Sequence, residues 1–106
     1  MHKTEDIVWD VVVIGGGPSG MMAAGTAGSL GKKVLLVEKN KSLGKKLLIT
    51  GGGRCNLTNA EEDIRVLLSK FKDSDKFLFS AFSKFGNKDT LKFFNDKGME
   101  TKVEAF

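Results

Sequence analysis

The sequence predicts an α/β fold in which a β-α-β unit with parallel strands comes first and a mainly helical segment follows. Three stretches carry the first half of this prediction. The β-branched residues Val11–Ile14 are typical of a strand buried on both faces of a parallel sheet, and they stop at Gly15. Residues 21–30 are small or apolar and contain no proline, which predicts a helix. Residues 33–37 predict a second buried strand that ends at Glu38.

The glycines between the first strand and the helix have the G-x-G-x-x-G spacing of a dinucleotide-binding loop. Gly15 permits a tight turn, Gly17 lets the backbone approach a pyrophosphate, and Gly20, which has no Cβ, lets the helix lie close to the strand. Glu38 follows about 20 residues later, where a carboxylate can accept hydrogen bonds from a ribose diol. An ordinary glycine-rich turn is the alternative, but it does not explain why the three glycines and Glu38 occur together at the spacing of a dinucleotide-binding unit.

The helix that opens behind these glycines suits an anion at its N-terminus. Pro18 fits the first helical turn, because its missing N–H costs nothing there. The unpaired N–H groups and the positive end of the helix dipole face the predicted phosphates, and the Ser19 hydroxyl adds a donor. The stretch therefore predicts a site for the ADP half of a dinucleotide.

A second glycine cluster, GGGRCN, occupies residues 51–56 after a short apolar segment, Leu47–Ile49. Three consecutive glycines allow backbone conformations with positive φ, and an arginine and two nearby asparagines supply polar groups. A P-loop is excluded, because Lys46 stands where Ser or Thr is required and Lys39 stands where the first glycine is required. The cluster predicts a backbone that approaches a flat or anionic ligand, and a flexible surface turn is the alternative.

Together, the two glycine stretches resemble a known family of flavoproteins. GGGPSGMMAA and GKKLLITGGGRCNLTN are paired in the NAD(P)/FAD-dependent oxidoreductases of the aminoacetone oxidase type, and the resemblance covers nearly the whole chain, including KFLFSAFSKFGNKDTLKFF and KGMETKVEAF. It implies FAD on a Rossmann-type domain, with the pyrophosphate at the first glycine loop, the adenosine ribose at Glu38 and residues 51–56 along the cofactor. Arg54 and Asn56 are the polar contacts it implies. The expected cofactor-binding residues are Gly15, Gly17, Pro18, Ser19, Gly20, Glu38, Lys39, Lys46, Gly52, Gly53, Arg54, Cys55 and Asn56.

Residues 60–98 predict helices. One helical face collects four apolar residues, and the acids before it lie near a favourable helix N-terminus. Six phenylalanines at helical spacing are expected to pack in a core. Asp89 is a plausible cap for a helix over residues 90–97 that ends at Gly98, and residues 99–103 predict the start of a strand. The apolar face consists of Ile64, Leu67, Leu68 and Phe71, and the phenylalanines are Phe77, Phe79, Phe82, Phe85, Phe93 and Phe94.

The length of the chain indicates that it is one part of a larger protein. A complete dinucleotide domain of this type uses about six parallel strands with helices on both faces, whereas these 106 residues hold two firm strands. We therefore expect residues 1–106 to be the N-terminal portion of an FAD-binding domain. Residues 60–98 are then a helical insertion or extension, and the remainder of the flavoprotein chain is a partner.

The charge and composition of the chain restrict the kinds of partner that we expect it to bind. The net charge is +4, and from Lys32 to Arg54 seven basic residues face a single acid. No aromatic residues are interleaved with them, so we expect solvated loop charges and no nucleic-acid surface. Cys55 is the only cysteine, which excludes an intrachain disulfide and suits a reducing compartment, and nothing marks it as redox-active. No segment approaches the roughly 20 apolar residues of a membrane span. We expect a cytoplasmic protein with no membrane partner and no metal site.

Three functions remain open from the sequence. The leading one is an FAD-dependent oxidoreductase that acts on a small organic substrate, with NAD(P)H as a candidate electron donor. The second is an NAD-binding domain, in which Glu38 would repel the 2′-phosphate of NADP. The third is a dinucleotide-binding fragment without catalysis. No catalytic residue is identifiable here, because no His, Tyr or paired-carboxylate constellation is visible. We expect the isolated chain to have no turnover.

Overall fold

The computed structural model describes residues 6–104. By contacts the chain divides into two compact units, Met1–Cys55 and Asn56–Phe106. The first contains β1 (Val11–Ile14), α1 (Pro18–Ser29), β2 (Val34–Val37) and two short 3-10 turns, Leu47–Ile49 and Gly51–Gly53. The second contains α2 (Ile64–Ser69), a 3-10 turn over Lys72–Ser74, α3 (Asp75–Lys84) and α4 (Asn87–Asp96). The predicted order of a β-α-β unit followed by a mainly helical segment is confirmed.

The first unit is a parallel pair of strands with one helix packed on it. Val11 pairs with Val34 and Ile14 with Val37, and α1 contacts both strands. Asp10 sets the start of the pair, because its carboxylate accepts from the Lys33 N–H at 2.8 Å while its own N–H donates to the Lys33 carbonyl at 2.9 Å. The four-residue strands and the connecting helix place the glycine loop at the carboxyl ends of both strands.

The expected burial of β1 on both faces is wrong for the described residues. Exposure alternates along the strand, so that Val12 and Ile14 remain 51% and 78% exposed while Val11 and Val13 are half-buried. Successive side chains of a strand point to opposite faces, and α1 packs on both strands. The apolar run therefore forms the predicted strand with one of its two faces still open.

The core of the second unit lies on α2 and is joined to a buried asparagine. Leu67 and Leu68 are each only 3% exposed, as the predicted apolar face requires. Asn87 is also buried, and its side-chain amide donates to the carbonyls of Asn59 at 2.9 Å and Glu61 at 2.5 Å. Because a buried amide without partners is costly, these two hydrogen bonds tie the start of α4 to the segment that precedes α2.

Phenylalanine packing follows only part of the prediction. Phe82 is half-buried and its ring lies 5.8 Å from that of Phe71, which sits beyond the end of α2. Phe77 is 85% exposed, and Phe79 and Phe85 are exposed as well. The core prediction is wrong for these three, and Phe85 lies just beyond α3, where its ring is 6.5 Å from that of Phe93. Helical spacing alone does not show which phenylalanines are buried.

Two further boundaries differ from the prediction. The last helix begins at Asn87 with Gly86 at the cap position, and Asp89 lies inside the first turn, where its carboxylate accepts from the Gly86 N–H at 2.8 Å. Asp89 thus stabilises this helix start from within and does not precede it. The strand predicted over residues 99–103 is absent from the described residues, which show no paired strand there. No helix among residues 6–104 is long and apolar enough to span a bilayer.

Candidate dinucleotide-binding site

The glycine loop starts by extending the parallel sheet by one residue. The Gly15 N–H donates to the Val37 carbonyl at 2.8 Å, and Gly15 has a φ of +98°. A residue with a side chain rarely adopts that conformation, so the turn out of β1 requires glycine. The predicted role of Gly15 in the turn is confirmed.

Gly16 has a structural role in the loop that the sequence analysis does not predict. Its N–H donates to Glu38 Oε1 at 2.9 Å, and its carbonyl accepts from the Gly44 N–H at 2.8 Å. Gly16 is buried, and a Cβ placed on it would collide with Leu43 Cδ2 and lie 3.3 Å from Glu38 Oε1. The N–H and the carbonyl of Gly16 are therefore both hydrogen-bonded, although Gly16 occupies a variable position of the G-x-G-x-x-G pattern. The run of three glycines was the available signal.

Gly17 faces open space. Its φ of −81° and ψ of −172° are extended, which any residue can adopt, and a Cβ placed on it would meet no atom within 4 Å. Nothing in the described chain requires glycine there. Open space beside the backbone of Gly17, next to a helix N-terminus, is compatible with the close approach of a pyrophosphate. The residues present thus fit the phosphate end of a dinucleotide.

The start of α1 leaves its positive end uncovered. Pro18 is the first helical residue, no side chain caps the helix, and its first turn contains no acid. The first N–H groups of a helix have no intrahelical partner, so those beside Ser19 and Gly20 are available to an anion. Ser19 is exposed at this end, where its hydroxyl was expected to add a donor.

Gly20 brings the helix against the strand. A Cβ placed on it would collide with the Gly15 carbonyl oxygen and would lie 3.4 Å from Val13 Cγ1. The predicted reason for glycine at this position, close packing of helix and strand, is confirmed.

Glu38 is joined to the loop by its own side chain. Oε1 accepts from Gly16 and Oε2 accepts from the Asn40 N–H at 2.7 Å. The backbone N–H of Asn40, and then that of Gly16, lower the pKa of Glu38 below its ordinary value, with a smaller effect from the charge of Lys39. A carboxylate has about four acceptor positions, so Glu38 keeps capacity for the ribose contact that the sequence predicts. The ribose contact stays a prediction.

The second glycine cluster forms a separate turn. Gly51, Gly52 and Gly53 have φ values of +72°, +56° and +86°, which confirms the expected positive-φ backbone, and the Arg54 N–H donates to the Gly51 carbonyl at 3.0 Å. The Leu48 N–H donates to the Gly44 carbonyl at 3.0 Å and connects this region to the first loop.

The predicted site residues thus fall into two groups. Residues 15–20 and Glu38 are brought together by the hydrogen bonds described above. Residues 51–55 lie in the turn that follows Gly44, with Cys55 a free, exposed thiol, and Asn56 belongs to the second unit. Lys39 and Lys46 are exposed. The contact of residues 51–56 with a cofactor stays a prediction.

Comparison with known proteins identifies the family. Residues 9–106 match the HI0933-like protein Rossmann domain. The chain is 36% identical over 91 residues to the ribosomal RNA dihydrouridine synthase of Escherichia coli, covering 86% of this chain and 22% of that protein. It is 42% identical over 93 residues to the 3-dehydro-bile acid delta(4,6)-reductase of Clostridium scindens, covering 85% and 22%.

A shorter match joins the chain to a different enzyme. It is 42% identical over 66 residues to the mitochondrial dihydrolipoyl dehydrogenase of Dictyostelium discoideum, covering 58% of this chain and 14% of that protein. The chain spans 22% of the length of the first two relatives, so it corresponds to one segment of them. These matches confirm the resemblance carried by the two glycine stretches, and the chain belongs to the HI0933-like Rossmann-domain family, whose fold binds dinucleotides.

Proposed function

We propose that this chain is the FAD-binding segment of a flavin-dependent oxidoreductase. The observation that carries the proposal is the open space at Gly17, beside the uncapped start of α1 and within a loop that is hydrogen-bonded to Glu38. The family match supports it, because the same fold occurs in relatives named as a reductase and a dehydrogenase.

Each residue of the loop has a defined task in this function. The N–H groups of Gly17 and of the first turn of α1 would bind the pyrophosphate, and Glu38 would accept from the ribose hydroxyls through its remaining acceptor capacity. Gly20 keeps the helix close enough for its N-terminus to reach the phosphates. The flavin supplies the electron transfer, and the chain binds and orients the cofactor.

The Gly51–Gly53 turn is the second contact that we assign to FAD. Three positive φ values make its backbone accessible at close range, and glycine supplies no side chain to obstruct a ring or a phosphate. Replacing Gly52 with valine forces a β-branched residue into a φ of +56° and adds bulk on the proposed contact face. The variant should retain less flavin than wild type, and full flavin occupancy would return this segment to the category of surface turn.

Substrate recognition is assigned to other parts of the protein. The two relatives that cover most of this chain are named for ribosomal RNA and for a bile acid derivative, two unlike substrates, yet both align with this segment. A segment common to such different enzymes suits the shared cofactor better than either substrate. We assign a small organic molecule as substrate and NAD(P)H as electron donor, with the rest of the flavoprotein chain completing the site.

The colour of the full-length protein tests the proposal. Protein purified without added cofactor should show the visible absorption of bound flavin, and the apoprotein should bind FAD more tightly than NAD, with ADP competing for the site. Tight NAD binding without FAD binding would favour the NAD-binding alternative.

The chain of 106 residues should not turn over when it is isolated and reconstituted with FAD. Its described residues leave one face of β1 open, and catalysis needs a cavity that excludes water around the flavin ring. An anaerobic reduction assay with NADH, NADPH and small amines as donors, with free FAD as the control, measures this directly. Reduction clearly faster than that of free FAD would contradict the prediction.

A further inference from the structure

Gly44 is a second glycine held against the dinucleotide loop, 28 positions after Gly16 in the chain. It is buried, its φ is +69°, and its N–H donates to the Gly16 carbonyl at 2.8 Å. A Cβ placed on it would lie 3.3 Å from Met21 Cε, which is a tight contact. Its conformation therefore favours glycine, and its surroundings leave little room for a side chain.

This hydrogen bond determines where an adjacent donor points. The described residues contain no cis peptide bond, so the peptide between Gly16 and Gly17 is trans, and its C=O and N–H point in opposite directions. With the carbonyl directed at Gly44, the Gly17 N–H is directed away from Gly44. The peptide before it is held in turn, because Glu38 accepts from the Gly16 N–H at 2.9 Å.

We propose that Gly44 is a positioning residue that aims the Gly17 N–H at the pyrophosphate of the bound dinucleotide. This inference rests on the proposed function. A peptide that is already oriented loses little conformational freedom when the ligand arrives, and a hydrogen bond to a charged phosphate is among the stronger ones in proteins. Leu43, which lies over Gly16, assists by closing the space into which that peptide could rotate.

Gly31, in the same unit, provides the control variant. Gly31 follows α1, its φ is +78°, and a Cβ placed on it would meet no atom within 4 Å. Alanine at Gly31 or at Gly44 therefore carries a similar cost of positive φ, and only at Gly44 would the new Cβ also crowd a neighbouring side chain, that of Met21. We expect this crowding to shift the backbone of Gly44, whose N–H donates to the Gly16 carbonyl, so the difference between the variants tests the contact.

The experiment uses the full-length protein, stripped of flavin and titrated with FAD at neutral pH. Gly44→Ala should bind FAD about tenfold more weakly than wild type, the scale of one hydrogen bond to a charged group, whereas Gly31→Ala should change affinity less than about twofold. The ³¹P resonances of FAD on Gly44→Ala, recorded at saturating protein, should be displaced from their wild-type positions. A general loss of stability would not move them.

The outcomes distinguish failure of the proposed FAD-binding function from failure of the positioning role of Gly44. If wild type binds no FAD, the proposed function fails. If wild type binds FAD, but Gly44→Ala matches Gly31→Ala in affinity or leaves the ³¹P resonances in place, the positioning role alone is overturned. If Gly44→Ala does not fold, Leu43→Ala decides in its place, because it loosens the packing over Gly16 without backbone strain: displaced ³¹P resonances support the role and unchanged ones overturn it.

Discussion

The helices of the two units begin in opposite ways. In the second unit, α2 is capped by Asp63, which accepts from the backbone N–H groups of Arg65 at 2.9 Å and Val66 at 3.4 Å. Asp89 likewise places its carboxylate in the first turn of α4. In the first unit, α1 begins at Pro18 with no capping side chain and no acid in its first turn. Each of the three α-helices of the second unit thus has an acid at its cap or in its first turn, Asp63, Asp75 and Asp89, whereas α1 has none.

That contrast supports the proposal that the start of α1 binds the phosphates. The first unit does have a carboxylate near the loop, but Glu38 accepts from the N–H groups of Gly16 and Asn40 and not from the first turn of α1. The positive end of α1 is thus open to the proposed phosphate, whereas Asp63 and Asp89 stabilise the helix starts of the second unit. Substitutions in the two units should therefore separate cofactor binding from stability.

The largest expected effect is that of Gly20→Ala, because the new Cβ would collide with the Gly15 carbonyl. Overpacking of this kind costs about 1–3 kcal/mol of folding free energy, and here it also displaces the phosphate-binding turn. Gly25→Ala in the same helix is the matched control: its Cβ would meet nothing within 4 Å, and alanine favours a helix by about 0.5–1 kcal/mol. The unfolding temperatures of the two variants should move in opposite directions, and only Gly20→Ala should weaken FAD binding; similar behaviour of both would contradict the collision predicted at Gly20.

Glu38→Ala should come next, weakening FAD binding about tenfold. The substitution leaves the N–H groups of Gly16 and Asn40 without their acceptor and removes the predicted ribose partner. Glu62→Ala, a change of the same charge in the second unit, should leave the FAD dissociation constant unchanged. Equal dissociation constants for all three proteins would exclude Glu38 from the site.

Acidification should reproduce part of that loss without any substitution. Because hydrogen bonds lower the pKa of Glu38, the stabilisation from its charged form is complete above its ordinary value of 4.5 and is lost as the pH falls through the lower folded value. The affinity for FAD should thus stay level from pH 7 to about pH 5 and decline only in more acidic solution. Glu38→Gln should lack this component of the decline; an identical profile in the variant would assign the pH dependence to other groups.

The smallest effect is expected from Asp63→Ala. Loss of the cap on α2 should reduce the stability of the second unit by about 1 kcal/mol, while the FAD dissociation constant stays unchanged. Asp63→Asn should retain most of the stability, because asparagine caps helices about as well as aspartate. A clear change in FAD affinity for Asp63→Ala would show that the two units do not divide the tasks as the contrast indicates.

The parts of the fold that depend on local sequence were predictable. The strand, turn and helix around Gly15 and Gly20 follow from the spacing of glycines and apolar residues along one stretch, and the structure reproduces them. The roles of Gly16 and Gly44 were not predictable in the same way. Each depends on a contact between residues 28 positions apart, and no local pattern specifies which residue closes over the loop.

The errors in the second unit have a similar origin. Phe77 and Phe82 have the same chemistry and both lie on α3, yet which of them is buried depends on the side of α3 that α2 covers. α4 begins at Asn87, before the predicted start at residue 90, and the buried amide of Asn87 bonds to carbonyls of a distant segment that local sequence does not specify. Propensity describes a residue in isolation, and these positions are decided by neighbours.

The hydrogen bond between Gly16 and Glu38 also makes the opening of the loop measurable by amide exchange. A loop amide normally exchanges its proton with solvent quickly, but this one is bound to a carboxylate 22 positions away, so exchange must wait until the carboxylate releases it. The deuterium uptake of this single amide therefore reports how often the loop opens before any cofactor arrives. Slow exchange at Gly16 would mean that Glu38 keeps the loop in shape without a ligand.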